Sequence, residues 1–126
     1  MDILISPQKE APIYQQLYEQ ISLKILRGEL KDGDLLPPIR TLAAELGISV
    51  ITVKRAWEEL ERDGLILTQT GRGCFVRLPD RGKALEQRKA LAKQHLEQEL
   101  GFCRQMGMGP EEILQLVKEC LEEEKT

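Results

Sequence analysis

The sequence predicts an α+β fold that is mainly α, and three observations carry this prediction. Three segments with helical periodicity come first, two short β-rich segments follow, and two further helical segments complete the chain. Pro79 and Gly82 interrupt the pattern after the β-rich segments, within the stretch RLPDRG. We therefore expect one domain over residues 1–78 and a helical tail over residues 79–126.

Composition narrows the class of protein to a small globular chain in a reducing compartment. The chain has 126 residues, of which 41% are apolar, enough for a modest core. Its three cysteines show no CxxC spacing, which favours the cytoplasm over an oxidised secreted framework. The N-terminus does not resemble a signal peptide, and no apolar run is long enough to span a membrane. The net charge of −3 does not favour nucleic-acid binding, although local basic patches decide such binding.

The first helix is predicted over residues 12–28. Pro12 suits its first position, and Gly28 suits its end. Apolar side chains recur in it at four-residue steps, at Ile13, Leu17, Ile21 and Ile25. A turn and a short extended segment follow in ELKDGDLLPP, because Leu36 precedes a proline, which disfavours helix.

The next two helices are predicted to form a helix-turn-helix pair. A short helix from about Ile39 to Leu46 ends at Gly47, and Ser49 caps a third helix that runs to about Asp63. The inner face of the third helix has the spacing i, i+3, i+4, i+7, at Val53, Ala56, Trp57 and Leu60. Most of the side chains at its N-terminal end fall outside that face: Ser49, Val50, Ile51, Thr52, Lys54 and Arg55. In a helix-turn-helix pair this end enters the major groove of DNA.

Two β-rich segments, Leu65–Gln69 and Cys74–Leu78, predict a hairpin that would form a wing after the helix pair. Its tip, TGRG, sets a glycine on each side of Arg72, which lets the backbone approach a groove or a phosphate. Residues 40–55 and residues 69–77 each carry a formal charge of +2, so positive charge collects where phosphates would lie.

These motifs together resemble the winged-helix domain of the GntR family of bacterial transcriptional regulators. PIYQQLYEQI, GELKDGDLLP, RTLAAELGIS, TVKRAWEELERDGLI and GRGCFV occur in the family's order, over roughly residues 10–77. The resemblance implies a DNA-binding regulator whose contacts to DNA come from Arg40, Ser49, Thr52, Lys54, Gly71 and Arg72. Arg55 stands beside the matching stretch and is a further candidate, for a phosphate.

The sequence departs from the family at two positions. Many members carry an arginine that reads guanine directly after the cap of the third helix, where this chain has Val50. We expect Val50 or Ile51 to pack on a thymine methyl group instead. The second helix often begins with a capping serine, where this chain has Pro38, so water or a DNA phosphate must replace that cap.

The tail resembles that of the YtrA-like subfamily, whose short helical hairpin makes a homodimer. The 47 residues after Pro79 are too few for the effector domain of larger GntR proteins. One helix is predicted over residues 83–106 and another from Pro110, and each carries an apolar stripe that a lone hairpin cannot bury. The predicted dimer contacts are Leu96, Leu100, Cys103, Ile113, Val117 and Leu121. The alternative is that the hairpin packs back on the winged domain.

The expected function is that of a cytoplasmic repressor that binds a pseudo-palindromic DNA operator as a homodimer. No catalytic residue, cofactor or metal site is expected, because the single histidine, His95, has no partner at ligand spacing and no catalytic motif occurs. Two alternatives remain. One is a protein-interaction module that docks a partner on Val50 and Ile51, and the other is a switch with a small-ligand pocket between winged domain and tail. The sequence assigns no effector.

Overall fold

The computed structural model describes residues 1–125 and confirms the mainly α, α+β fold class. Its elements in chain order are α1 (Ile13–Leu26), α2 (Ile39–Leu46), α3 (Val50–Arg62), β1 (Ile66–Gln69), β2 (Gly73–Val76), α4 (Arg81–Gln105) and α5 (Pro110–Glu124). The chain divides into two compact units, Met1–Glu86 and a second that begins at Gln87, so the division falls within α4. The domain boundary at residues 78 and 79 stays a prediction.

Helix α3 is the central element of the first unit, because it contacts α1, α2 and β1. It buries Val53, Ala56, Trp57 and Leu60, the four residues that helical spacing predicts for its inner face. Around them lie side chains from each neighbouring element, including Leu17, Ile21, Ile25, Leu42, Leu65, Ile66 and Val76. Burial of this apolar surface is the main free-energy gain of the unit.

Two glutamines of α1 hold the N-terminal segment on the first unit. The side-chain amide of Gln16 accepts from the backbone N–H of Ser6 and donates to its carbonyl, both at 2.9 Å. Gln20 makes the same pair of bonds to the backbone of Leu4. Ile3 of this segment is buried in the core, while its neighbour Leu4 is exposed.

The hairpin is shorter than the sequence predicts at the end opposite its turn. Strands β1 and β2 pair antiparallel from Ile66 opposite Val76 to Gln69 opposite Gly73. Leu78, predicted as the end of the second strand, lies outside it, because its N–H donates to the Asp32 carboxylate at 2.7 Å. The segment before α2 lies beside β2 and pairs with it briefly, because the Leu36 N–H donates to the Cys74 carbonyl at 2.9 Å. The extended segment predicted before Pro37 is thus confirmed.

Helix α4 begins at Arg81, two residues earlier than predicted, and includes Gly82. Asp80 explains the difference, because its carboxylate accepts from the Lys83 N–H at 2.9 Å and its carbonyl accepts from the Ala84 N–H. Asp80 therefore caps the helix, and the capped first turn tolerates a glycine.

A phenol–carboxylate hydrogen bond ties α1 to the end of α3. The Tyr18 hydroxyl donates to the carboxylate of Asp63, the C-cap residue of α3. Burial raises the pKa of the Tyr18 phenol, and the hydrogen bond and negative charge of Asp63 raise that pKa further. The neutral phenol is therefore the form that the folded protein stabilises.

We expect Tyr18→Phe to lower the free energy of unfolding at pH 7 by about 1 kcal/mol, the net value of such a hydrogen bond. It should also flatten the pH dependence of stability above pH 10. The phenol pKa is raised in the folded state, so its contribution is full below about pH 10, the ordinary tyrosine pKa, and is lost as pH rises further. Urea unfolding followed by the fluorescence of the single tryptophan, Trp57, measures both effects. If the loss of stability above pH 10 persisted in Tyr18→Phe and disappeared in Tyr14→Phe, the assignment to Tyr18 would be wrong.

Candidate nucleic-acid interface

The turn between α2 and α3 has the geometry that helix-turn-helix pairs need. Gly47 follows α2 with φ +68°, in the left-handed region that glycine adopts without strain. Its N–H donates to the Ala44 carbonyl at 3.4 Å, and the Ile48 N–H donates to the Ala43 carbonyl at 3.0 Å. These bonds close α2 and set Ser49 at the start of α3, as the sequence predicts.

Ser49 is the N-cap of α3, which confirms the cap predicted from sequence. Its Oγ accepts from the Thr52 N–H at 3.1 Å and lies 2.7 Å from the Thr52 Oγ1. Ser49 is exposed and Thr52 is half-buried. The structure thus brings two of the predicted DNA contacts together as a pair of hydroxyls at the positive end of the helix dipole.

The N-terminal end of α3 presents apolar and basic side chains to solvent on the side away from the core. Val50 is 44% exposed and Ile51 is 80% exposed, and Lys54 and Arg55 are also exposed. Large apolar side chains at such exposure lose hydrophobic free energy unless a partner covers them. The two-sided character that the sequence predicts for this helix is therefore present.

Arg55 is held by Tyr14 of α1, a contact that the sequence did not predict. Its Cζ lies 3.7 Å from the centroid of the Tyr14 ring, and its Nη2 donates to the Tyr14 hydroxyl at 3.1 Å. Such a contact is worth about 0.5–1 kcal/mol at an exposed site. The two residues are 41 positions apart, so no local pattern could have paired them.

Arg40 lies in the first turn of α2 and is exposed. The N-cap position of α2 is Pro38, and among the described residues no side chain caps this helix. The first N–H groups of α2 therefore lack a side-chain acceptor beside an arginine, as the sequence predicts from Pro38. This combination favours the binding of an anion, because both the N–H groups and the guanidinium can donate hydrogen bonds to it.

The wing tip (residues 70–72) is a three-residue loop between β1 and β2. Gly71 has φ +79°, and the Arg72 N–H closes the turn by donating to the Gln69 carbonyl at 2.9 Å. Gly73 has φ +111°, and a Cβ there would approach the Leu35 side chain to 3.2 Å. Arg72 is exposed at this tip, where the glycines leave the backbone free to approach a ligand.

The tail helices expose most of their apolar side chains. Among the described residues from Gln87 onwards, Ile113 is buried, while Leu100 and Cys103 are half-buried. The other predicted dimer contacts, Leu96, Val117 and Leu121, are exposed. Phe102, Met106, Leu114 and Leu116 are exposed apolar residues of the tail that the sequence prediction did not include.

Residues 1–125, which the structure describes, contain neither a membrane-spanning helix nor a metal-binding cluster. No helix is both long and apolar enough to cross a membrane. No group of three or more His, Cys, Asp or Glu side chains is arranged to hold a metal ion.

Comparison with known proteins identifies relatives of this interface and of the whole chain. The family described as "Bacterial regulatory proteins, gntR family" matches residues 13–76. The HTH-type transcriptional repressor YtrA of Bacillus subtilis is 33% identical over 117 residues, which cover 93% of this chain and 90% of that repressor.

Two solved structures resemble the fold. A GntR family transcriptional regulator from Listeria monocytogenes has a TM-score of 0.69 at 30% identity, over 89% of this chain and 97% of that one. The DNA-binding domain of AraR, solved in complex with operator ORX1, has a TM-score of 0.53 at 30% identity. That match covers 60% of this chain and 95% of the AraR domain.

We expect Ser49→Ala to lower the free energy of unfolding by about 1 kcal/mol, because the Thr52 N–H loses its acceptor. Ser49→Asp is the matched control, since a carboxylate also caps an N-terminus and should restore most of that stability. Thermal or urea unfolding measures the difference. Equal stability of Ser49→Ala and the wild type would show that the cap contributes nothing.

Proposed function

The chain belongs to the gntR family of bacterial regulatory proteins, and from that membership we propose that it is a repressor that binds a pseudo-palindromic operator as a homodimer. Proteins of this family are transcriptional regulators and not enzymes, so the chain is a transcriptional regulator. One observation carries the proposal, namely the exposed, capped N-terminal end of α3 above a fully buried inner face. A bacterial repressor acts where the chromosome is, in the cytoplasm.

Residues of three elements contact the duplex in this proposal. Ser49, Thr52 and Lys54 of α3 reach base edges or the adjoining phosphates in the major groove. Arg40 binds a phosphate together with the uncapped N–H groups of α2. Gly71 and Arg72 of the wing tip approach the minor groove, where arginine responds to the strong negative potential. AraR, whose DNA-binding domain has this fold, was solved with its operator, which supports the same docking here.

Val50 and Ile51 give the interface its base preference. Neither side chain can form the bidentate hydrogen bonds by which arginine recognises guanine. Both are apolar and exposed at the end of α3 that enters the groove, so the thymine 5-methyl group is the base feature they can bury. We therefore expect thymine opposite the N-terminal end of α3 in each half-site.

The tail supplies the dimer. Its exposed apolar side chains need a partner, and the similarity to the YtrA repressor of Bacillus subtilis covers 93% of this chain, so it includes most of the tail. A second copy is the partner that also explains two-fold DNA binding, because two recognition helices then meet two half-sites one helical turn apart.

We expect Arg72→Ala and Arg40→Ala each to weaken binding to a duplex selected from a randomised pool by about tenfold or more, since a hydrogen bond to a charged group is worth about 1.5–3 kcal/mol. Anisotropy titrations should show wild-type affinity falling steeply with salt, as counterions are released from phosphates. Arg27→Ala, at the end of α1, is the matched control and should bind like the wild type. If both test variants bound the duplex with unchanged affinity, the proposed DNA interface would be wrong. If the affinity of the wild type did not depend on salt, the alternative of a protein-docking module would be favoured.

Replacing the proposed thymines by uracil tests base reading by Val50 and Ile51. Loss of one buried methyl group should weaken binding by about fourfold, from about 0.8 kcal/mol per methyl group. The same substitution outside the protected half-sites is the control. The double variant Val50→Ala/Ile51→Ala should bind both duplexes with similar affinity. Wild-type affinity that no uracil substitution changes would exclude methyl readout.

Sedimentation of the purified protein tests the homodimer, whose mass should be twice the 14.4 kDa of the chain. A lysine in the apolar stripe, in Leu96→Lys or Val117→Lys, should shift the protein towards monomer, because burying a charge is costly. Leu4→Lys is the matched control, as Leu4 is 85% exposed on the first unit. A monomeric wild type, or variants that remain dimeric, would contradict dimerisation through the tail.

A further inference from the structure

The guanidinium of Arg55 is fixed between α1 and α3 without losing its charge. It contacts the face of the Tyr14 ring, 3.7 Å away, and donates a hydrogen bond to the Tyr14 hydroxyl oxygen. Both orient the cation, and neither neutralises it. Arg62, at the other end of α3, lies instead 3.7 Å from the Glu59 carboxylate, an ion pair that offsets its charge.

Arg55 lies on the DNA side of α3. It follows Ile51 by four residues, so both side chains leave the same exposed side of the helix, about 6 Å apart along its axis. In helix-turn-helix docking the N-terminal end of the recognition helix meets bases, and side chains beside it contact phosphates that fix the register.

The chemistry of the pair suits one phosphate. A guanidinium carries five N–H donors in one plane, and the hydrogen bond to the Tyr14 hydroxyl uses one of them. Arginine presents its donors in a fixed fork that matches phosphate oxygens. The Tyr14 ring covers one side of the guanidinium, and Arg55 is exposed, so its other N–H groups can reach a ligand.

We propose that Tyr14 is a positioning residue that holds Arg55 ready for a phosphate of the bound duplex. This inference rests on the proposed function, because the phosphate is present only when the chain binds DNA. The stacked arginine has already lost much of its rotamer freedom in the free protein, so less conformational entropy is lost on binding. The alternative is that the contact between Tyr14 and Arg55 only holds α1 against α3 and stabilises the fold.

The test uses the full chain and a duplex that the wild-type protein selects from a randomised pool. Anisotropy titrations at about 50 to 200 mM KCl give both the affinity and the slope of log K against log salt. The variants are Arg55→Gln, Tyr14→Leu, Tyr14→Phe and the double variant Tyr14→Leu/Arg55→Gln. Arg62→Gln is the matched control, since it removes the same charge from the same helix outside the interface.

We expect Arg55→Gln to reduce the salt slope by about 0.9, the value for one phosphate, and Arg62→Gln to leave it unchanged. Tyr14→Leu should weaken binding by about three- to tenfold when Arg55 is present. The same change should have less than about a twofold effect in the Arg55→Gln background, because Tyr14 acts through Arg55. Tyr14→Phe keeps the ring and should stay close to the wild type.

An unchanged slope in Arg55→Gln would overturn the inference. So would an equal effect of Tyr14→Leu in both backgrounds, which is the result expected of a contact that only stabilises the fold. If Tyr14→Leu does not fold, Tyr14→Met, which is also apolar and has no π face, repeats the comparison. Failure of the proposed function has a different signature, since the wild type would then recover no duplex from the pool, and this inference would fail with it.

Discussion

The packing of the inner face of α3 is the constraint on which the rest of the structure depends. Val53, Ala56, Trp57 and Leu60 are all buried in the core that α3 shares with α1, α2 and β1. A helix packed against three elements cannot rotate about its axis without exposing these apolar side chains to water, which costs several kcal/mol. The direction in which Ile51, Lys54 and Arg55 leave the helix is therefore set by residues that contact nothing outside the protein.

Local structural features determine where α3 begins and where α2 and β1, the elements beside it, end. Gly47 turns the chain with a positive φ, Ser49 caps α3, and Gly71 and Gly73 allow the three-residue wing tip. Each of these features involves only a few residues, and each helps to pair backbone N–H and C=O groups that would otherwise need water. The exposed N-terminal end of α3, Arg40 and the wing tip thus all stand on elements of one compact unit.

Apolar surface and charge are distributed differently in the two units. The first unit buries or half-buries most of its apolar side chains and concentrates positive charge in residues 40–55 and 69–77, although the chain as a whole carries −3. The tail exposes large apolar side chains on both its helices, such as Phe102 and Leu114. The first pattern suits a polyanion, the second suits another protein surface, and a dimeric DNA-binding regulator requires both.

The sequence by itself determined the order of the elements, the buried face of α3, the Ser49 cap and the wing turn, because each depends on residues within one or two helical turns. It placed the start of α4 two residues late, since it did not recognise the Asp80 cap. Only the tertiary structure decided which distant residues meet. Tyr18 with Asp63, Asp32 with the Leu78 N–H, and Tyr14 with Arg55 are separated by 45, 46 and 41 positions. Such pairs follow from how α1 packs on α3 and how the hairpin is anchored, and no periodicity in one sequence encodes them.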